Sequence, residues 1–168
     1  LLLRHRPARF PIHLDEEGYA DLNEIMTILN GLPNFRWATR SDVEAVVDCR
    51  GRRRFEIQGE QIRALYGHSV FHPKYEPETP PEILYHGTAP DVLGAIWREG
   101  LLPMQRQYVH LASDTQTARS IALRHTHKPV ILVVEARRAH ADGIEFYHPV
   151  EEIYLCKHVP AEYITQDR

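Results

Sequence analysis

The spacing of apolar side chains changes period along the chain. The segment DLNEIMTILN places Leu22, Ile25, Met26 and Leu29 at helical intervals, the signature of one apolar face on a 3.6-residue turn. Asp21 followed by Glu24 has the spacing of a helix-capping pair. A second segment, SDVEAVVDC, predicts a helix opened by Ser41 and Glu44, with Val43, Val46 and Val47 on one face. The period then falls to two. Phe55, Ile57, Ile62 and Ala64 alternate with polar residues about Gly59-Glu60, which predicts a β-hairpin with Arg54 and Glu56 on its outer face. Two short helices followed by a hairpin make a winged-helix arrangement, common in nucleic-acid-binding modules.

Pro73, Pro77, Pro80 and Pro81 break the pattern and predict a linker over 73–81. Beyond it, strands and helices alternate. EILYHGT, QYVHLA, PVILVVEA, IEFYH and EIYLCKHV read as strands. APDVLGAIWREGL reads as a helix with Pro90 near its start and Gly100 at its end, and DTQTARSIALRH as a helix capped by Asp114. The expected fold class is α+β, with an N-terminal lobe over 1–72 and a C-terminal lobe over 73–168. A doubly wound sheet is disfavoured, because the chain has no GxGxxG.

Composition narrows the class further. The 168 residues are 43% hydrophobic and 26% charged, ordinary for a soluble globular protein. No apolar run reaches the length of a membrane span, and no signal peptide is visible. Two cysteines without a CxxC suggest neither a disulfide framework nor a thiolate metal site, and a cytoplasmic location is expected. The net charge of −3 argues against non-specific coating of nucleic acid. Only three of the 20 cations are lysines, and arginine has the fork that binds phosphate bidentately.

Three basic stretches are candidates for that chemistry: Arg4-His5-Arg6 after the opening leucines, RGRRRF leading from Arg50 into the hairpin, and Arg106 just before the strand with His110. In LYHGT, Tyr85 ends an apolar strand, Gly87 allows close approach of the backbone, and His86 and Thr88 supply polar atoms. Thr88 could equally serve only as a helix cap. No metal is expected: there is no HExxH, and His68 and His72 fall where no helix would pair them. A nucleophile elbow of the GxSxG type is also absent.

Together the strings LLLRHRP, LDEEGYADLNEIM, RRRFEI, IRALYGHS, PPEILYHGT, EGLLPMQRQYVHLASD and HVPAEYI resemble the tRNA 2′-phosphotransferases, the NAD-dependent RNA 2′-phosphotransferases, over nearly the whole chain. The resemblance implies a winged-helix N-terminal lobe and an ADP-ribosyltransferase-like C-terminal lobe. It also implies an activity. An internal RNA 2′-phosphate, as left at a tRNA splice junction, attacks the nicotinamide ribose of NAD⁺ and expels nicotinamide. The ADP-ribosylated RNA then resolves to RNA with a free 2′-OH and ADP-ribose 1″,2″-cyclic phosphate. By motif, the family's essential set falls on Arg4, His5, Arg54 and Arg106, and its NAD⁺ contacts on His86, Gly87, Thr88, His110 and Ile153. The implied role of His5 is orientation and charge, with proton transfer as the alternative. The implied partner is a 2′-phosphorylated RNA, met by a monomer.

The chain departs from the family in places. EEIYL stands where NGVWL is usual, so Ile153 replaces valine; Ala112 replaces serine; and arginines replace a lysine-rich approach to Arg54. Two other readings of the lobes stay open at this point: an ADP-ribosyltransferase acting on protein or nucleic-acid ends, and a winged-helix DNA-binding regulator with a ligand-sensing lobe.

Overall fold

The computed structural model describes residues 2–4, 9–48, 53–68 and 74–167. The fold is mixed α and β with two separate sheets, and the backbone clusters into two units, 1–74 and 75–168.

The first unit contains β1 (Tyr19–Asp21), α1 (Leu22–Gly31), a 3₁₀ turn (Pro33–Phe35), α2 (Arg40–Val47), β2 (Phe55–Gln58) and β3 (Gln61–Ala64). The strands are antiparallel in the order β1-β3-β2. Asp21 caps α1 as its spacing predicts, accepting from the amides of Asn23 and Glu24. The cap of α2 is Thr39 rather than Ser41. Thr39 and Asp42 exchange side-chain and backbone hydrogen bonds in a capping box, so the helix starts two residues earlier and Ser41 lies inside it. Only Val43 and Val47 reach the core, four residues apart on one face, while Val46 is left 60% exposed.

Register explains how this small sheet divides its two faces. Ala20, Ile62 and Ile57 form one cross-strand row and pack with Leu3, Leu22 and Ile25. Tyr19, Arg63 and Glu56 form the next row, on the opposite face. There the Tyr19 hydroxyl donates to Glu56 at 2.9 Å, Arg63 donates to the same carboxylate at 2.9 Å, and the Arg63 guanidinium lies 4.5 Å from the Tyr19 ring centre. Burial opposes the charge on Glu56, but these hydrogen bonds from Tyr19 and Arg63 outweigh it and hold the carboxyl below its usual range.

The second unit holds six antiparallel strands in the order β7-β8-β5-β4-β6-β9. They are β4 (Leu84–Thr88), β5 (Val109–Ala112), β6 (Val130–Val134), β7 (Phe146–Val150), β8 (Ile153–Cys156) and β9 (Ile164–Gln166). The helices are α3 (Leu93–Glu99), preceded by a 3₁₀ turn (Pro90–Val92), α4 (Thr115–Ala122) and α5 (Ala136–Ala141). Gly100 ends α3 and Asp114 caps α4, both as predicted, although α4 stops at Ala122 rather than running on to His125. The core joins Leu84, Leu111, Leu132, Val134, Phe146 and Cys156. Burial pushes the Cys156 thiol up to about 12, which keeps it an inert core residue.

Residues 75–81 are packed against this unit. Pro77 bridges Tyr147, the Glu78 amide donates to Phe146 O at 2.8 Å, and buried Pro80 accepts from Arg137 at 2.9 Å. No described helix is long and apolar enough to cross a membrane.

Candidate functional site

In the first unit, Arg4 and Arg54 come to the same end of the β2–β3 hairpin. Arg54 precedes β2, and its carbonyl accepts from the Leu65 amide at 3.0 Å, so it lies across from the residue that follows β3. Arg4 reaches the next two residues. Its Nε donates to Gly67 O at 3.4 Å, and its guanidinium lies 5.4 Å from the Tyr66 ring centre. Gly67 has φ 77°, and a Cβ there would overlap the Arg4 guanidinium. The glycine of YGHS therefore makes the space that the arginine of LRH fills. His5 lies outside the described residues, as do Arg6, residues 50–52, His72 and Pro73.

The arginines around this hairpin have different fates. Arg40 bonds Glu44 and Glu60 at 2.8 and 2.6 Å, and Arg53 and Arg63 both bond Glu56. Arg54, half-buried, forms no ion pair among the described residues.

In the second unit the geometry follows from a divergence of strands. β4 and β6 are in register at five positions, from Leu84↔Val134 to Thr88↔Val130, whereas β4 and β5 meet only at Tyr85↔Ala112. A cavity of about 450 Å³ lies along this seam. Tyr85, His86 and Gly87 of β4 line it, with Val109, His110 and Ala112 of β5, residues Leu102 to Arg106 and Tyr108 of the preceding loop, and Ala118, Ile121 and His125 of α4 and its exit.

The two histidines of the wall are held by main-chain carbonyls. His86 Nδ1 donates to His110 O at 3.0 Å, bridging the divergent strands, and His110 Nδ1 donates to Tyr108 O at 3.0 Å. A proton on Nδ1 leaves Nε2 as the acceptor in a neutral ring. Burial pushes the pKa of His86 below its ordinary 6.5; the hydrogen bond to His110 opposes this and the charge of Arg106 adds to it. His86 is therefore neutral near pH 7.

Gly87 sits within β4 rather than in a turn, paired with Ile131. A Cβ there would overlap Ala118 O and approach Ala122 Cβ to 2.9 Å. The glycine lets α4 cross directly over β4, which sets the floor of the cavity. Thr88 ends β4 and is buried, and Ile153 is buried on β8 opposite Ala112. Neither side chain is among those lining the cavity.

His125 and the tyrosines 85 and 108 line the cavity without having been singled out as site residues by sequence reasoning. His125 had a legible signal, since it lies four residues after Ile121 on the α4 period. Met104 stands 85% exposed at the rim with φ 55°, a left-handed conformation for a side-chain-bearing residue. Among the described residues, no group of three or more His, Cys, Asp or Glu side chains could hold a metal ion.

Comparison with known proteins gives a consistent picture. The family described as RNA 2′-phosphotransferase, Tpt1/KptA family, matches residues 1–158. A protein of Acetivibrio thermocellus named probable RNA 2′-phosphotransferase is 38% identical over 165 residues, covering 96% of this chain and 90% of its own length. Similar proteins of the same name occur in Pyrococcus furiosus, at 34% identity over 98% of this chain and 90% of the relative, and in Acaryochloris marina, at 35% over 98% and 91%.

Proposed function

Because the chain belongs to the RNA 2′-phosphotransferase, Tpt1/KptA family, we propose that it is an enzyme that transfers an internal RNA 2′-phosphate to NAD⁺, leaving RNA with a free 2′-OH. The observation that carries this reading is the convergence of His86, His110 and Arg106, from separate strings of the sequence, on one cavity. On this reading the first unit is a winged-helix lobe over 1–72, supported by its two helices and hairpin. The second, over 73–168, is an ADP-ribosyltransferase-like lobe, supported by its antiparallel sheet with the cavity at a strand seam. The protein acts as a monomer in the cytoplasm.

The cavity fits the polar part of a dinucleotide. Its volume of about 450 Å³ falls in the range of roughly 300–1,000 Å³ usual for ligand sites. Arg106 suits a pyrophosphate, the His86 imidazole acceptor suits a ribose hydroxyl, and Gly87 brings main chain to the wall. Bound there, NAD⁺ supplies an electrophilic ribose carbon and nicotinamide as its leaving group. Thr88 and Ile153 act from behind the wall, by keeping β4 and β8 in place.

The chain's own residues do the rest. Neutral His86 accepts a hydrogen bond from a sugar hydroxyl through Nε2 and so orients the sugar without adding charge. Arg4 and Arg54, with His5 beside Arg4 in sequence, hold the RNA 2′-phosphate. Each charge-assisted contact is worth about 1.5–3 kcal/mol. Arginine cannot give up its proton, so Arg54 and Arg106 stabilise charge developing on phosphate oxygens. Proton transfer to the departing 2′-oxygen is left to His5 or to water.

Incubation with a 2′-phosphorylated RNA oligonucleotide tests the proposal. Nicotinamide and the 2′-OH RNA should form together, and only with NAD⁺. Release of inorganic phosphate, or equal turnover without NAD⁺, would overturn it.

A further inference from the structure

We infer that the loop Phe35-Arg36-Trp37 of the first unit is a stacking platform for single-stranded RNA flanking the 2′-phosphate. This rests on the proposed RNA substrate and goes beyond the residues assigned above.

Trp37 is 67% exposed and Phe35 45% exposed. Exposed large aromatics so close in sequence are uncommon on a protein surface and mark interaction sites when they cluster. The loop is also held in place. Pro33 opens the 3₁₀ turn, the Ala38 amide donates to Phe35 O at 3.0 Å, and the Asn30 side-chain amide, with its oxygen and nitrogen exchanged to suit its neighbours, donates to Phe35 O and Ala38 O at 3.3 and 3.0 Å. The Trp37 indole N–H donates to Asn34 O at 3.0 Å. With its polar edge satisfied, the ring offers its faces to solvent in a fixed orientation. Binding a base there costs little side-chain entropy.

Charge points to a nucleic acid. Arg36, between the two aromatics, is exposed and forms no ion pair among the described residues, whereas the next arginine, Arg40, is consumed by Glu44 and Glu60. An aromatic face beside an uncommitted guanidinium matches a base beside its phosphate. The position also fits. Arg40, three residues after Trp37, reaches Glu60 in the hairpin turn, while Arg54 stands at the other end of β2. The five steps along β2 from Arg54 to Gly59 separate Arg54 from the hairpin turn by about 17 Å. A nucleotide next to the 2′-phosphate cannot reach Trp37, but one a few positions along the strand can.

The test uses the full chain carrying Trp97→Phe, so that emission reports Trp37. Titration with an unphosphorylated single-stranded RNA of about ten nucleotides, without NAD⁺, should quench that emission. Trp37→Ala should weaken binding of the same RNA, followed by anisotropy of a labelled oligonucleotide, by about 5- to 150-fold. The preference in kcat/KM for a long 2′-phosphorylated RNA over a 2′-phosphorylated dinucleotide should collapse with it. Trp37→Phe should restore the preference and Trp37→Leu should not, which separates stacking from a structural role. The inference is overturned by no quenching, by an unchanged preference in Trp37→Ala, or by Trp37-dependent self-association in place of RNA binding. Loss of all NAD⁺-dependent turnover in the parent protein would instead strike the proposed function, since the titration needs neither NAD⁺ nor the 2′-phosphate.

Discussion

Around the β2–β3 hairpin, arginine is mostly spent on the fold among the described residues. Arg40, Arg53 and Arg63 end on carboxylates, and Arg63 also stacks on Tyr19. Arg54 has no such partner among the described residues. Along the seam between β4 and β5 the situation is reversed. Polar and apolar groups share the wall, and His86 is kept neutral by burial while its Nδ1 is fixed on a carbonyl. In the first unit a functional group is recognisable as charge left over after internal pairing. In the second it is recognisable as a buried polar group held by the main chain at a strand seam. The two kinds of site should respond to mutation differently: the first through the geometry of its charge, the second through desolvation and packing.

The largest effect should come from Arg106, the cation in the cavity wall. Arg106→Ala should lower single-turnover formation of 2′-OH RNA by roughly 100- to 1,000-fold, the usual cost of removing one charge-stabilising donor. A loss under tenfold would remove Arg106 from the site. Arg54→Lys comes next. It keeps the charge but not the fork, so the rate should fall by about 30- to 150-fold, equivalent to about 2–3 kcal/mol. A rate close to that of the parent would mean that uncommitted charge at this position does not mark a site.

Gly87→Ala tests the packing side of the comparison. Overlap with the Ala118 carbonyl should force α4 away from β4 and cost about 1–3 kcal/mol of stability, read by urea unfolding. An unchanged midpoint would mean that α4 shifts freely and that Gly87 does not set the cavity floor.

The site was partly legible in the sequence. The capping pair Asp21/Glu24, the hairpin alternation and the Asp114 cap are local signals, and local signals fix local structure. α5 and β9 were missed because ARRAHA and ITQ have too few apolar positions to show a period; tertiary packing of Ala136, Ala139 and Ile164 makes them. The seam is long-range. Nothing in the local pattern says that β4 will meet β5 at one position and β6 at five. The same holds for Gly67, whose need for a missing Cβ comes from an arginine 63 residues away.

His86 gives a smaller effect, with a definite sign. Its folded pKa lies below 6.5, so at low pH the unfolded chain binds a proton that the folded chain resists. Stability is fully present above about pH 6.5 and declines as pH falls toward the depressed folded value. His86→Gln should melt with a weaker acid dependence as pH falls through 6.5 and below. Parallel pH profiles for the two proteins would show that His86 is not desolvated.

The smallest effect, and the sharpest contrast with Arg54, belongs to Arg63. The two arginines lie on one face of the same hairpin, and net charge cannot tell them apart. Arg63 donates to Glu56 at 2.9 and 2.8 Å, with about a third of its side chain exposed. Removing it leaves Glu56 with the Tyr19 hydroxyl and Arg53, so the carboxylate is weakened rather than orphaned. Arg63→Ala should therefore cost no more than about 1 kcal/mol at neutral pH. Glu56 is held below 4.5 in the fold, which gives stability above about pH 4.5 that is lost as pH falls through the lowered value. In Arg63→Ala this acid-side loss should shrink, because the folded pKa of Glu56 moves back toward the unfolded one. Turnover should stay within about threefold of the parent, against the much larger loss in Arg54→Lys. If Arg63→Ala instead loses as much activity as Arg54→Lys while melting normally, pairing within the fold does not separate structural from functional arginines here, and both would have to be counted as RNA contacts.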